Sequence, residues 1–232
     1  MVTFRFQVPS LLFLAGIFFL NFLSRISLAP LLPEIEADLM VGHGEAGSLF
    51  LFISLGYFLG LLSSGFVSSR FTHRRTIVLS SVALGGALLA VSLSHTLLWI
   101  HVSLLMLGLS AGFYLPSGIA TLTEMVSSKD WGKAIAIHEL APNLSFIAAP
   151  LVAEGLMIWF SWRGVIAMLG GIAVLMGIAF ARFGRGGMFS GEAPGLETLR
   201  VLLAHPSFWI MVALFSLGIG ASLGVYTMLP LY

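Results

Sequence analysis

The chain has 232 residues, is 58% hydrophobic and only 9% charged, and carries a formal net charge of +1 with a mean hydropathy of +1.03. Soluble domains carry roughly 25% charged residues, so the composition is that of an integral membrane protein, and the long apolar runs below make it an all-α one. With no cysteine, a disulfide framework, a thiolate zinc centre and a thiol nucleophile are excluded.

A helix needs about 20 apolar residues to cross the hydrocarbon layer. Seven runs satisfy this, at residues 10–32, 45–67, 76–94, 97–120, 134–157, 163–182 and 207–230. The first, preceded by Arg5, is too long for a signal-peptide core and contains Asn21 and Arg25, so it is read as a retained helix. Arg25 lies about fifteen residues into the run, roughly 22 Å along its axis. A charge at such depth costs at least about 2.5–3.5 kcal/mol, so it needs a partner, a wet cavity or a function. Two readings stand side by side: Arg25 holds an anionic solute with Asn21 one turn away, or it pairs internally with Glu139 or Glu154.

The second run carries Gly56 and Gly60 at a spacing that permits close helix approach, as do Gly108/Gly112 and Gly220/Gly224. Between runs two and three lies a short basic loop, residues 65–75, with Arg70, Arg74 and Arg75. If that loop is cytoplasmic, its side also collects Arg5, Lys129, Lys133, Arg182, Arg185 and Arg200, against Arg163 alone on the other. This positive-inside bias predicts a multi-pass protein of the cell membrane with a cytoplasmic amino terminus.

Run four bears a polar stripe of Tyr114, Ser117, Thr121 and Glu124, interrupted by Pro116, which frees a backbone carbonyl and can kink the helix beside a cavity. Run five places Glu139, Asn143, Phe146, Pro150 and Glu154 on one face. Tyr114 and Asn143 are therefore candidate solute contacts, and Glu139 and Glu154 candidate proton-coupling or gate residues. His138 faces elsewhere and reads as an interface histidine. After run six, Gly184, Gly186, Gly187, Gly191, Pro194 and Gly195 read as a flexible linker, followed by an amphipathic helix in which Leu196, Leu199, Leu202 and Leu203 share a face. The division is a six-helix bundle at 1–182, a cytoplasmic linker at 183–205 and a seventh helix at 206–232. That seventh helix reads as the start of a second half lying outside the given sequence, so the chain is expected to be a fragment.

Six spans, a glycine-rich linker and a restart resemble the major facilitator superfamily, whose members contain two six-helix halves around a central cavity. Loop 65–75 is similar to the family's signature between spans two and three: Gly65, Arg70, Arg74 and Arg75 match, Ser69 stands where an acid is usual, Thr72 where glycine is usual, and His73 replaces a basic residue. Ala149-Pro150 in run five resembles the family's Gly-Pro motif, Trp162-Arg163 its entry to span six, and the stretch from Lys129 to Ala134 its basic turn. Leu104 occupies the place of the usual arginine in span four. The resemblance implies alternating access, but with Ser69 and Leu104 the usual inner charge latch has no partners.

The chain has no His-x-x-Glu-His, Gly-x-Ser-x-Gly or phosphate-cradling glycine loop, and its polar residues are spread singly over separate helices, which argues against an enzyme. Scattered histidines have no metal-ligand spacing, and no basic patch with interleaved aromatics marks a nucleic-acid surface, so no cofactor, metal or nucleic acid is expected. The expected partners are a small-molecule substrate, the lipid bilayer and the missing carboxy-terminal half. The sequence therefore reads as a secondary transporter of a small solute, best an organic anion. The alternatives are a proton-coupled exporter of lipophilic compounds, and a non-transporting scaffold or a half-transporter that must dimerise.

Overall fold

A computed structural model describes residues 4–228. Its helices are α1 (Val8–Ile26), α2 (Leu28–Leu39), α3 (His43–Arg70), α4 (His73–Leu93), α5 (Leu97–Gly112), α6 (Tyr114–Met125), α7 (Trp131–Met157), α8 (Trp162–Phe183), α9 (Leu196–Ala204) and α10 (Pro206–Met228). Seven rods are long and apolar enough to cross a membrane. Among the described residues there is no strand, only an isolated antiparallel bridge between Thr72 and Ser190.

Two rods are broken, each by a proline four residues ahead of a deprived carbonyl. Pro30 has no N–H for Ile26, and the helix interrupts at Ser27, whose hydroxyl turns back to donate to Leu23 O at 2.6 Å. Pro116 deprives Gly112 in the same way, and the fourth span breaks at Phe113. Both rods outrun their apolar stretches: the first continues to Leu39 and the fourth to Met125, because turns bearing Glu34, Glu36, Asp38, Thr123 and Glu124 stay helical beyond the hydrocarbon-like sequence. Pro142 and Pro150 sit inside α7 without ending it.

Three close pairings organise the bundle: α3 on α5, α4 on α8 and α1 on α7. The first is a glycine seam. A Cβ on Gly108 would lie 2.1 Å from Ile53 O, and one on Gly56 2.1 Å from Leu105 O, with Gly60 and Gly112 similarly closed. Gly85 and Gly170 repeat the device between α4 and α8, where a Cβ on Gly85 would meet Gly170 O at 2.5 Å. Hydroxyls add ties between helices: Ser80 of α4 donates to Ser110 O of α5 at 2.6 Å, and Ser81 of α4 to Ala173 O of α8 at 2.8 Å. Gly220 and Gly224, by contrast, face open space.

At the end opposite loop 65–75, Arg163 clamps three helices. Its guanidinium pairs with Asp38 Oδ2 at 2.8 Å and donates to the Ser92 and Ser94 carbonyls, while Trp162 Nε1 donates to the same Asp38 oxygen at 3.2 Å.

The glycine seam carries a direct test. Gly108→Ala forces a Cβ into backbone and should cost about 1–3 kcal/mol or more. Gly86→Ala, on an open helix face, should be neutral or stabilise by about 0.4–1 kcal/mol. Thermal unfolding of the purified protein in detergent should separate the two variants in that order.

Candidate functional site

Arg25 is the eighteenth of 32 residues in the rod from Val8 to Leu39, and Tyr57 the fifteenth of 28 in α3, so both lie near the middle of their spans. They meet there. The guanidinium carbon stands 4.2 Å from the Tyr57 ring centroid and 4.7 Å from that of Phe22. No carboxylate forms an ion pair with Arg25 among the described residues: Asp38, Asp130, Glu36 and Glu139 account for every recorded pair, each with another partner. The internal pairing with Glu139 or Glu154 offered by the sequence is not formed, and Glu154 is exposed on α7.

Among the described residues, the buried side-chain polar atoms without a hydrogen-bond partner are Ser24 Oγ, Arg25 Nε and Tyr226 Oη. Phe22 packs edge-on against Phe146 (5.3 Å), and Phe146 against Tyr226 (5.0 Å). Tyr226 of α10 is thereby brought to the same aromatic series as Arg25. An enclosed orphan donor in a native fold calls for a reason, and a polar guest is one. Cation–π contact and the neighbouring Tyr57 steady the charge and leave the Nε donor unused.

Asn21, the residue paired with Arg25 in the sequence, is spent elsewhere: it is buried and its Nδ2 donates to Ala111 O at 3.1 Å. It docks α1 on α5. Asn143 is exposed and donates to Glu139 O at 2.8 Å within its own helix. Tyr114 lies in a second cluster, centred on Leu14 and thus about eleven residues or 16 Å from Arg25 along α1. There the Tyr114 hydroxyl donates to Leu14 O at 2.7 Å and stands 3.1 Å from His138 Nε2, while His138 Nδ1 stands 3.1 Å from Glu139 Oε1. The structure therefore joins Tyr114 and Glu139 through His138, a link invisible in a helical-face projection because it crosses from α6 to α7. Phe18 stacks on both Tyr114 (5.4 Å) and His138 (4.3 Å), and touches Phe22 at 6.5 Å. One aromatic pair thus separates the two clusters.

The basic loop forms a third group. Residues 184–195, expected as a flexible linker, instead lie across it as a strap. His73 N donates to Phe189 O, Arg74 N to Gly187 O and Gly191 N to Ser68 O, at 2.7–3.0 Å. Glu124 accepts from Gly187 N at 2.6 Å, and Arg74 donates to Ala181 O at 3.0 Å. Gly186 and Gly187 adopt φ of +78° and +68°, which side-chain-bearing residues rarely accept, and Gly65 leaves room for Pro194, 2.9 Å from where a Cβ would sit. Ser69 donates within its helix to Phe66 O, and Arg70 and Arg75 are exposed with no recorded side-chain hydrogen bond. Leu104 is fully buried. Among the described residues, backbone bonding to the strap rather than a side-chain charge latch holds this loop, and the sequence leaves such a latch without partners.

A sequence profile described as Major Facilitator Superfamily matches residues 14–232. The chain belongs to the major facilitator superfamily. Its members are membrane transporters, so the protein is not an enzyme. Among curated relatives, the inner membrane metabolite transport protein YdjE of Escherichia coli K12 is 26% identical over 158 residues, covering 68% of this chain and 34% of that protein. A Na⁺, Li⁺, K⁺/H⁺ antiporter of Planococcus maritimus is 26% identical over 172 residues, 71% of this chain and 39% of that one. The chain thus spans little more than a third of the length of these relatives. Among solved structures, a bacterial homologue of the human lysosomal transporter Spinster, inward-facing and unoccupied, superposes with a TM-score of 0.77 at 17% identity, over 98% of this chain and 55% of that one. A peptide transporter, POT, in complex with sulfate gives 0.68 at 16% identity, over 93% and 46%. These superpositions establish the superfamily fold.

The strap makes a checkable claim about the superfamily's basic loop in this protein. Glu124→Ala removes the acceptor of Gly187 N and should release the segment, so trypsin cleavage after the exposed Arg185 should speed up several-fold. Cleavage after Lys129, on the other side of α6, should be unchanged.

Proposed function

We propose that the chain contributes to a secondary active transporter that carries a small organic anion by alternating access, and that Arg25 is the group that holds the anion. The observation that carries this reading is a mid-span guanidinium cradled by Tyr57 and Phe22, with Tyr57 as its polar neighbour, no carboxylate paired to it among the described residues, and its Nε without a hydrogen-bond partner. A guanidinium remains charged and presents paired donors that match a carboxylate or phosphate in two parallel bonds. The aromatic walls supplied by Phe22, Tyr57 and Phe146 suit an apolar body behind the acidic group, and Tyr226 offers an unused hydroxyl. Asn21 serves in this reading as a docking residue that fixes the Arg25 turn against α5, and Asn143 as a candidate contact on the exposed face of α7.

The membrane orientation follows from the charge count: loop 65–75 and its strap lie on the cytoplasmic side, with the amino terminus. The division at 1–182, 183–205 and 206–232 is retained, with a second helical half of the same polypeptide facing α10, whose side chains are mostly exposed. A proton-coupled exporter of lipophilic compounds is the second reading, favoured by the half-exposed Glu139 beside an aromatic series.

Uptake into proteoliposomes by the full-length protein discriminates between them. Radiolabelled benzoate and succinate should accumulate in preference to tetraphenylphosphonium, and Arg25→Lys, which keeps the charge but loses the fork, should cut organic-acid uptake about tenfold or more. Unchanged uptake in that variant, or preference for the lipophilic cation, would overturn the anion reading.

A further inference from the structure

We propose that His138 and Glu139, backed by Tyr114, form a binding site for a single proton, and that release of this proton frees the Glu139 side chain toward the exposed face of α7. The argument is one of counting hydrogens. Tyr114 Oη has one hydrogen, and Leu14 O at 2.7 Å takes it. The phenolic oxygen therefore meets His138 Nε2, 3.1 Å away, only as an acceptor, so Nε2 bears a hydrogen.

The other ring nitrogen faces Glu139 Oε1 at 3.1 Å. A hydrogen must lie between them, and it is not the one on Nε2. Either an imidazolium faces a carboxylate or a neutral imidazole faces a carboxylic acid. The two forms contain the same number of protons and the same net charge of zero, so the arrangement is the proton-loaded state whichever atom holds the proton. Remove it, and a bare Nδ1 lone pair confronts a carboxylate oxygen with nothing to bridge them.

The two side chains respond unequally. His138 is fully enclosed and held in a stack, with the Phe18 ring 4.3 Å away at 11° and the Tyr114 ring 5.9 Å away at 3°. Glu139 keeps 46% of its side chain exposed, so it is the one that moves. The groups that face the pair are Tyr114 from α6 and, from α1, the Leu14 carbonyl and the Phe18 ring; among the described residues no other ionisable side chain bonds to either member. Loading and unloading therefore switch this surface of α7 between neutral and singly negative. The site is separate from Arg25 and uses no solute, so its test stands or falls independently of the anion reading.

The test is ¹⁵N NMR of isotope-labelled full-length protein in lipid nanodiscs over the accessible pH range, with the His138 signal assigned by sequential backbone correlations in the native protein and checked by its loss in His138→Gln. The expected result is an Nε2 that stays protonated throughout and an Nδ1 that changes in one step. In Glu139→Gln the amide N–H supplies a permanent donor to Nδ1, and the step should vanish. In Tyr114→Phe the Nε2 acceptor is gone, and the step should persist at a shifted midpoint. An unprotonated Nε2 in the native protein, an Nδ1 that never changes, or the same step in Glu139→Gln would each overturn the proposal. The native spectrum alone decides the first two should the variants fail to fold.

Discussion

The α3–α5 glycine seam is the contact on which the rest of the arrangement depends. In a membrane, helices gain nothing from burying apolar surface against one another, so association relies on close packing and on the few polar bonds that close packing permits. Gly56, Gly60, Gly108 and Gly112 bring two backbones together, and the residues between them inherit their positions. Tyr57 follows Gly56 and is carried to Arg25. Ala111 precedes Gly112 and turns its carbonyl to Asn21. The seam thus seats the first helix and the ring beneath its charge in a single contact.

The two proline breaks have a related effect. Each falls within a few residues of a functional candidate: Ser27 follows Arg25 by two positions, and Phe113 precedes Tyr114. A missing N–H leaves a carbonyl in need of a donor and allows the axis to bend. Tyr114 lies on the first turn after its break, where it reaches across to Leu14 and His138. A straight fourth span would carry the same residues, but its second segment would leave on the axis of the first.

What the sequence discloses follows from how local the cause is. Apolar runs, the basic loop, the glycine pairs and the prolines act through neighbours three or four residues away, so the seven spans, the seam and the family resemblance are legible. The depth of Arg25 is legible for the same reason. Its surroundings are not, because Tyr57 comes from another helix and no spacing within one chain segment brings it there. The same limit hides His138: a face projection of α7 separates it from Asn143 correctly, yet its partner Tyr114 lies on α6. The strap is the instructive miss. A run of glycines looks like slack, but Gly186 and Gly187 supply positive φ and Gly191 close approach to Ser68, which are the requirements of a tightly docked turn.

The two buried clusters divide the electrostatic problem of a charged solute in a membrane. Under the proposed anion reading, Arg25 is a positive charge with no carboxylate partner among the described residues, and a guest that supplies one would replace water that the guanidinium has lost. The His138–Glu139 pair is neutral when loaded and negative when empty. The two sites lie about 16 Å apart along α1, and charges partly buried in protein interact more strongly than the same charges in solution. Emptying the proton site stabilises an unoccupied Arg25 and so competes with an anion for it. Filling the site removes that competition. If both proposed sites are occupied as argued, proton and anion binding would favour each other through Coulomb's law, and such a linkage is reciprocal.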